Sequence, residues 1–153
     1  MIFHIITSSH EGFEWATTGC KLYAKRIQRY AKLSEHKLKR KKQGSTDFET
    51  LKRNDLVDIQ QLIPKQTLLI VCDEHGKQHN SIEFTNMLEN SFIKYPSITF
   101  LIGPAYGLSP ELIRNNQTIA LSSMTLQHEI AALMLYEQLY RSLTILKNHP
   151  YHL

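Results

Sequence analysis

The stretch that most constrains this chain is its last third, Leu121 to Leu153, LSSMTLQHEIAALMLYEQLYRSLTILKNHPYHL. It opens as a polar loop, becomes a helix that is apolar nearly all the way round, and closes on Asn, His, Pro and Tyr. Between Ile130 and Leu146 only Glu137, Gln138, Arg141, Ser142 and Thr144 are polar. A single core-facing stripe does not account for so many apolar positions, so this helix must be covered on two sides. Two arrangements do that. The expected one has a second copy of the protein cover Leu135, Tyr136, Leu139 and Leu143; the alternative is the central helix of the chain's own core.

The remainder predicts an alternating α/β chain. Ile2 to Thr7 is a buried strand ending at Ser8, Ser9 and His10, and a helix follows from about Glu11 to Lys32. Phe13, Leu22, Tyr23, Ile27 and Tyr30 form its inner stripe, and Gly19 weakens its middle. The run KLKRKKQG within His36 to Gly44 is too charged to bury and reads as a short edge strand leading into a mobile loop. A second helix runs from Asp47 to about Ile63, capped by Thr46 or Asp47 and stopped by Pro64. TLLIVC, Thr67 to Cys72, is a strand of the kind a parallel sheet buries on both faces. A turn, Asp73 to Lys77, follows it. Ser81 to Lys94 is an amphipathic helix halted by Tyr95-Pro96, and Ser97 to Ile102 is another buried strand. A glycine loop, Gly103 to Ser109, leads to a short helix over Pro110 to Asn115 and a last strand over Thr118 to Leu121. Thr125 is the expected N-cap of the final helix. Residues 1–153 hold no Gly-, Pro- or Ser-rich linker and no repeat, so one domain is expected, with about five strands in a mainly parallel, three-layer sheet.

Charge is concentrated. Lys21 to Arg53 carries twelve Lys or Arg against three acids, +9, while the rest carries six against eleven, −5, giving the net +4. Such a patch suits a phosphate backbone, with Lys39, Arg40, Lys41 and Lys42 the expected nucleic-acid contacts; a merely solvated face is the alternative. The N-terminus lacks the basic leader and apolar core of a signal peptide, and no apolar run reaches membrane-spanning length, so a cytoplasmic protein with no membrane partner is expected. Cys20 and Cys72 are too few for a disulfide framework; both are expected reduced, Cys72 buried. His75 and His79 stand four apart, but Gly76 lies between them and no third ligand is within sequence reach, so no metal is expected. The glycine loop has neither GxGxxG spacing nor a P-loop Lys, no serine sits in a GxSxG elbow, and no paired carboxylates stand out.

LSSMTLQH, EQLYRS and NHPYH, together with YAKR at Tyr23 to Arg26, DEHGK at Asp73 to Lys77 and FLIGPAYGLS at Phe100 to Ser109, resemble the ribosomal large-subunit pseudouridine methyltransferases of type H, small members of the SPOUT superfamily. The resemblance implies an α/β SPOUT-type domain with a C-terminal trefoil knot, a mainly parallel sheet flanked by helices, S-adenosylmethionine as cofactor, and a homodimer. It implies a cofactor pocket at Cys72, Gly103, Gly107 and the run Ser122, Ser123, Met124, Thr125, Leu126 and Gln127. The implied acceptor is ring nitrogen 3 of a pseudouridine in 23S ribosomal RNA, met in the assembled ribosome. His152 is the first candidate to take the proton from that nitrogen, Tyr151 to stack on or bond the base, and Arg141 to hold a phosphate or the cofactor carboxylate. HPYH as a simple helix cap is the alternative. The chain departs from the family pattern at Pro104, Ala105, Gln127 and Ala132, which leaves a second reading: a catalytically weak RNA-binding homodimer with altered cofactor loops.

Overall fold

The computed structural model describes residues 1–8, 13–38 and 47–152. Five strands, β1 (Ile2–Ser8), β2 (Lys32–Leu38), β3 (Thr67–Gln78), β4 (Ser97–Ile102) and β5 (Gln117–Ala120), alternate with five helices. The helices are α1 (Glu14–Ile27), α2 (Phe48–Leu62), α3 (Ser81–Lys94), α4 (Pro110–Arg114) and α5 (His128–Leu146). The sheet order is β2-β1-β4-β3-β5 and every pairing is parallel.

The apolar runs predict which strands are central. Every residue of SITFLI is buried in β4, which lies between β1 and β3. Alternation along the strands sends side chains to two layers. Phe3, Ile5, Ile98 and Phe100 meet Ile27, Phe84, Leu88, Leu135 and Leu139 from α1, α3 and α5. On the opposite face Ile6, Leu69, Val71 and Leu101 meet Ile59 of α2 and Leu112 of α4. The Thr67 and Thr99 hydroxyls bond each other at 2.8 Å, so this second layer holds a satisfied polar pair.

The structure corrects several expectations. The first helix spans Glu14–Ile27, because the chain turns at Gln28 to Tyr30 and enters β2 at Lys32. Gly19 does not break it: a Cβ there would stand 2.7 Å from Leu133 Cδ1, so the glycine lets α5 come close. β2 is an edge strand, but at Lys32–Leu38, and residues 39–46, with the basic run and Thr46, lie outside the described residues. Asp47 is the N-cap of α2 and accepts from the Glu49 and Thr50 amides. β3 does not end at Cys72. Ile119 pairs with Cys72 and again with Lys77, so Asp73 to Gly76 bulges from the ladder and the strand resumes. The last strand starts at Gln117.

The final helix begins at His128 with Gln127 at the N-cap position, and Thr125 instead donates its hydroxyl to Glu74. Its four inner apolar residues belong to the chain's own core: Leu135 and Leu139 are fully buried, and Tyr136 and Leu143 nearly so. The need for a second copy to cover those residues is therefore overturned. Ile130 and Met134 are the large apolar side chains of α5 left exposed.

Candidate functional site

Open parallel sheets leave a crevice beyond the carboxyl ends of their strands, where loops diverge to opposite faces. Here the bulge of β3 and the loops that follow β4 and β5 surround a cavity of about 440 Å³. Cys72, Gly103, Gly107, Ser122, Met124, Thr125, Leu126 and Gln127 all line it; Ser123 does not. Asp73, Glu74, Ile102, Leu108, His128 and Ala131 also line it.

Each loop has a local cause. The Gly107 amide donates to Pro104 O at 2.9 Å, closing a turn whose carbonyl a proline supplies as well as any residue. Gly107 has φ +84°, in the left-handed region where a side chain is strained. A Cβ on Gly103 would lie 2.5 Å from Leu108 Cγ, so this position also requires glycine. In the third loop Ser122 Oγ accepts from the Met124 amide at 3.0 Å, and the bond from Thr125 to Glu74 ties that loop to the bulge of β3. Cys72 is half-buried as a residue, not buried as expected, although burial of its thiol pushes the pKa up to about 12. His128 Nε2 lies 2.9 Å from Glu129 Oε1, and the Glu129 charge sits favourably in the first turn of α5.

The far end of α5 carries a second cluster. Asn148 adopts φ 51°, and the His149 amide donates to Thr144 O at 2.9 Å, so the chain folds back on the helix. That return sets the Tyr151 ring edge-on to Tyr140 at 4.8 Å, with the Arg141 guanidinium 4.8 Å from the Tyr151 ring centre. Glu137 Oε1 accepts from Arg141 Nε at 3.0 Å, Arg141 Nη2 at 2.6 Å and the Tyr151 hydroxyl at 3.0 Å. The Tyr23 hydroxyl lies 3.2 Å from that of Tyr151. The bond to Glu137 raises the Arg141 pKa; burial, then the bonds to Tyr23 and Glu137, raise that of Tyr151. His152 Nδ1 lies 3.4 Å from Arg141 Nη1. A guanidinium only donates, so Nδ1 can only be the acceptor in this contact.

Arg141, Tyr151 and His152 are thus brought together, but away from the cavity. Arg141 is ten residues along α5 from Ala131, or about 15 Å at the helical rise. Lys39, Arg40, Lys41 and Lys42 lie outside the described residues. Among the described residues no group of three or more His, Cys, Asp or Glu is gathered as for a metal ion. His75 Nδ1 instead faces Asp73, and His79 Nδ1 its own strand at Lys77 O. No described helix is long and apolar enough to cross a membrane.

The family model described as "Predicted SPOUT methyltransferase" matches residues 1–152. The chain belongs to the SPOUT methyltransferases. Within them it is similar to proteins named ribosomal RNA large subunit methyltransferase H. The one from Syntrophotalea carbinolica is 38% identical over 88% of this chain and 87% of its own length. Those from Geobacter sulfurreducens and Paraburkholderia phymatum are 36% identical over 91% of each chain and 32% over 99% of each. A solved SpoU methyltransferase, AviRb from Streptomyces viridochromogenes in complex with AdoMet, is 14% identical. It superposes at a TM-score of 0.46 over 97% of this chain and 59% of that one, too loosely to bear on the assignment.

For a SPOUT methyltransferase the residues that sequence reasoning missed are as informative as those it found. Glu137 is the hub of the tail cluster, and its i, i+4 spacing to Arg141 was the available signal. His128 closes the quoted LSSMTLQH motif, yet only the fold shows that the start of α5 turns it into the cavity. Asp73 and Glu74 likewise reach the cavity through a bulge that no periodicity marks.

Proposed function

We propose that this chain is an S-adenosylmethionine-dependent methyltransferase acting on ring nitrogen 3 of a pseudouridine in 23S ribosomal RNA, on the assembled ribosome in the cytoplasm. The observation that carries this reading is the convergence of the β3 bulge and the loops after β4 and β5 on one cavity. Its volume lies within the range of small-molecule sites. Ile102, Leu108, Leu121, Leu126 and Ala131 give it dry walls, and the glycine loop gives it close backbone. Asp73 and Glu74 add negative charge suited to a ligand bearing a sulfonium and an ammonium. The residues present therefore fit the cofactor, which when bound supplies an electrophilic methyl group. The protein's share is to align an acceptor with it and exclude water.

The acceptor nitrogen carries a proton that must leave, and His152 is the residue proposed to take it. Its Nδ1 faces Arg141 and becomes free to accept a proton when Arg141 turns to a phosphate or carboxylate. Glu137 aims the guanidinium, and Tyr151 offers a ring for the base. The separation of about 15 Å along α5 favours a homodimer in which one copy's tail meets the other's cavity.

Methyl transfer from labelled S-adenosylmethionine to free 23S RNA, the large subunit and whole ribosomes tests the reading; incorporation into none of them defeats it. Millimolar or absent cofactor binding by calorimetry would instead favour the weak RNA-binding dimer. Mixing a chain lacking Pro150 to Leu153 with a Gly103→Trp chain tests the shared site, with recovered methylation expected. Full turnover by the tail deletion alone would remove the tail from the chemistry.

A further inference from the structure

Phe48 opens α2 yet contributes to neither core, and it stays 59% exposed. Its ring lies 5.8 Å from that of Tyr106, the two planes within 9° of parallel. Tyr106 stands in the turn closed by Pro104 and Gly107, both of which line the cavity, and donates its hydroxyl to Asp55. Phe48, Lys52 and Asp55 are spaced i, i+4, i+7, so one stripe of α2 faces this turn. Lys52 Cε lies 4.0 Å from where a Cβ on Gly107 would stand. A lone exposed phenylalanine needs no explanation. A phenylalanine laid flat on a tyrosine pinned by a carboxylate, at the rim of a candidate catalytic cavity, is a stacking surface with its outer face open.

We propose that Phe48, backed by Tyr106, is a ledge on which an unpaired nucleobase of the RNA substrate stacks beside the cavity, with Lys52 meeting the adjoining phosphate. This rests on the RNA methyltransferase reading. Bringing a base to a pocket takes it out of its stack and strands its neighbours, and an aromatic face replaces the lost stacking for any base. Charge agrees. Lys52 and Arg53 lie on the same helix, and the run Lys39 to Lys42 precedes Phe48 by six to nine residues in sequence. Of the nearby acids, Asp47 is used on the helix cap, Glu49 bonds Lys52 and Asp55 holds Tyr106. The ledge lies on the α2 face of the sheet, opposite α1 and α5, where Trp15, Ile130 and Met134 are exposed.

Binding to purified ribosomes, methylation kinetics and cofactor calorimetry on Phe48→Ala, Phe48→Leu and Phe48→Trp test the ledge. The alanine and leucine variants should raise the ribosome Kd and KM roughly five- to a hundredfold. Tryptophan should restore both, and kcat, cofactor affinity and the melting temperature should hold throughout. Leucine binding as well as the wild type overturns the ledge alone, since apolar bulk then suffices. Dissociation of a dimer by Phe48→Ala also overturns it, by making this face a protein contact. A wild-type chain that neither binds nor methylates ribosomes overturns the function reading and the ledge with it.

Discussion

Arg141 gives both Nε and Nη2 to one oxygen of Glu137, at 3.0 and 2.6 Å, and the same oxygen accepts the Tyr151 hydroxyl. One carboxylate therefore sets the pose of Arg141 on α5 and of Tyr151 in the tail. Glu137→Ala should lower kcat about tenfold or more while the cofactor Kd holds, because the groups it releases are proposed to act on the acceptor. The pair is partly exposed, so the stability cost should be about 1 kcal/mol or less. Turnover, calorimetry and thermal melts check this; a large loss of stability would make the cluster structural.

Gly103 and Gly107 should fail for different reasons. Gly103→Ala pushes a methyl against the buried Leu108 and should cost about 1–3 kcal/mol, with weaker cofactor binding because both residues line the cavity. Gly107→Ala meets nothing closer than Lys52 Cε at 4.0 Å but has a strained φ, so about 1 kcal/mol is expected. Urea unfolding and calorimetry on both variants would show the ranking.

The Cys72 thiol gives a pH signature. An unfolded thiol ionises near its ordinary value of about 9, whereas the folded one keeps its proton to about 12. Across that window the unfolded state binds fewer protons, so stability falls as pH rises. Cys20, pushed up to about 11, acts in the same direction. Unfolding at pH 8 and pH 10.5 should show a smaller decline for Cys72→Ala than for the wild type, and an equal decline would place the thiol in solvent.

Because Leu139 is part of the protomer's core, Leu139→Glu should unfold the chain rather than separate subunits. The proposed dimer should instead respond to Ile130→Ser with Met134→Ser, which touch exposed side chains. Light scattering at micromolar concentration, paired with a melting curve, distinguishes the outcomes. A folded monomer for the unmutated chain would defeat the dimer.

Replacing Lys39, Arg40, Lys41 and Lys42 by Ala should weaken ribosome binding and flatten its dependence on salt, since each phosphate contact releases counterions. Cofactor affinity should not change. An unaltered salt slope would assign the run to solubility.

Legibility followed physical cause. α3 matched its sequence expectation at both ends because Asn80 and Glu83 form a capping box and Tyr95 is extended before Pro96. β4 matched because a run buried on both faces has one reading between its flanking breaks. The first helix was overextended because Tyr30, a residue of the expected stripe, packs on Tyr140 from the turn beyond the helix. The helix carrying Leu135 and Leu139 was recognised as doubly covered, but one sequence does not say whether a sheet or a second chain does the covering. The loop positions were legible only through motif resemblance. Their meeting with Asp73, Glu74 and His128 depends on a bulge and a helix start that propensity does not encode.

The sheet order has a consequence for how the chain is made. Phe3 pairs with Ile98, and Leu135 and Leu139 near the far end complete the layer that covers Phe3. A nascent chain therefore emerges with β1 lacking its central neighbour until β4 has been made, and with its largest core layer unroofed until α5 leaves the exit tunnel. Such nonlocal pairing slows folding and exposes apolar strands meanwhile. Truncation anywhere before α5 should accordingly yield an aggregating or degraded fragment rather than a smaller working protein.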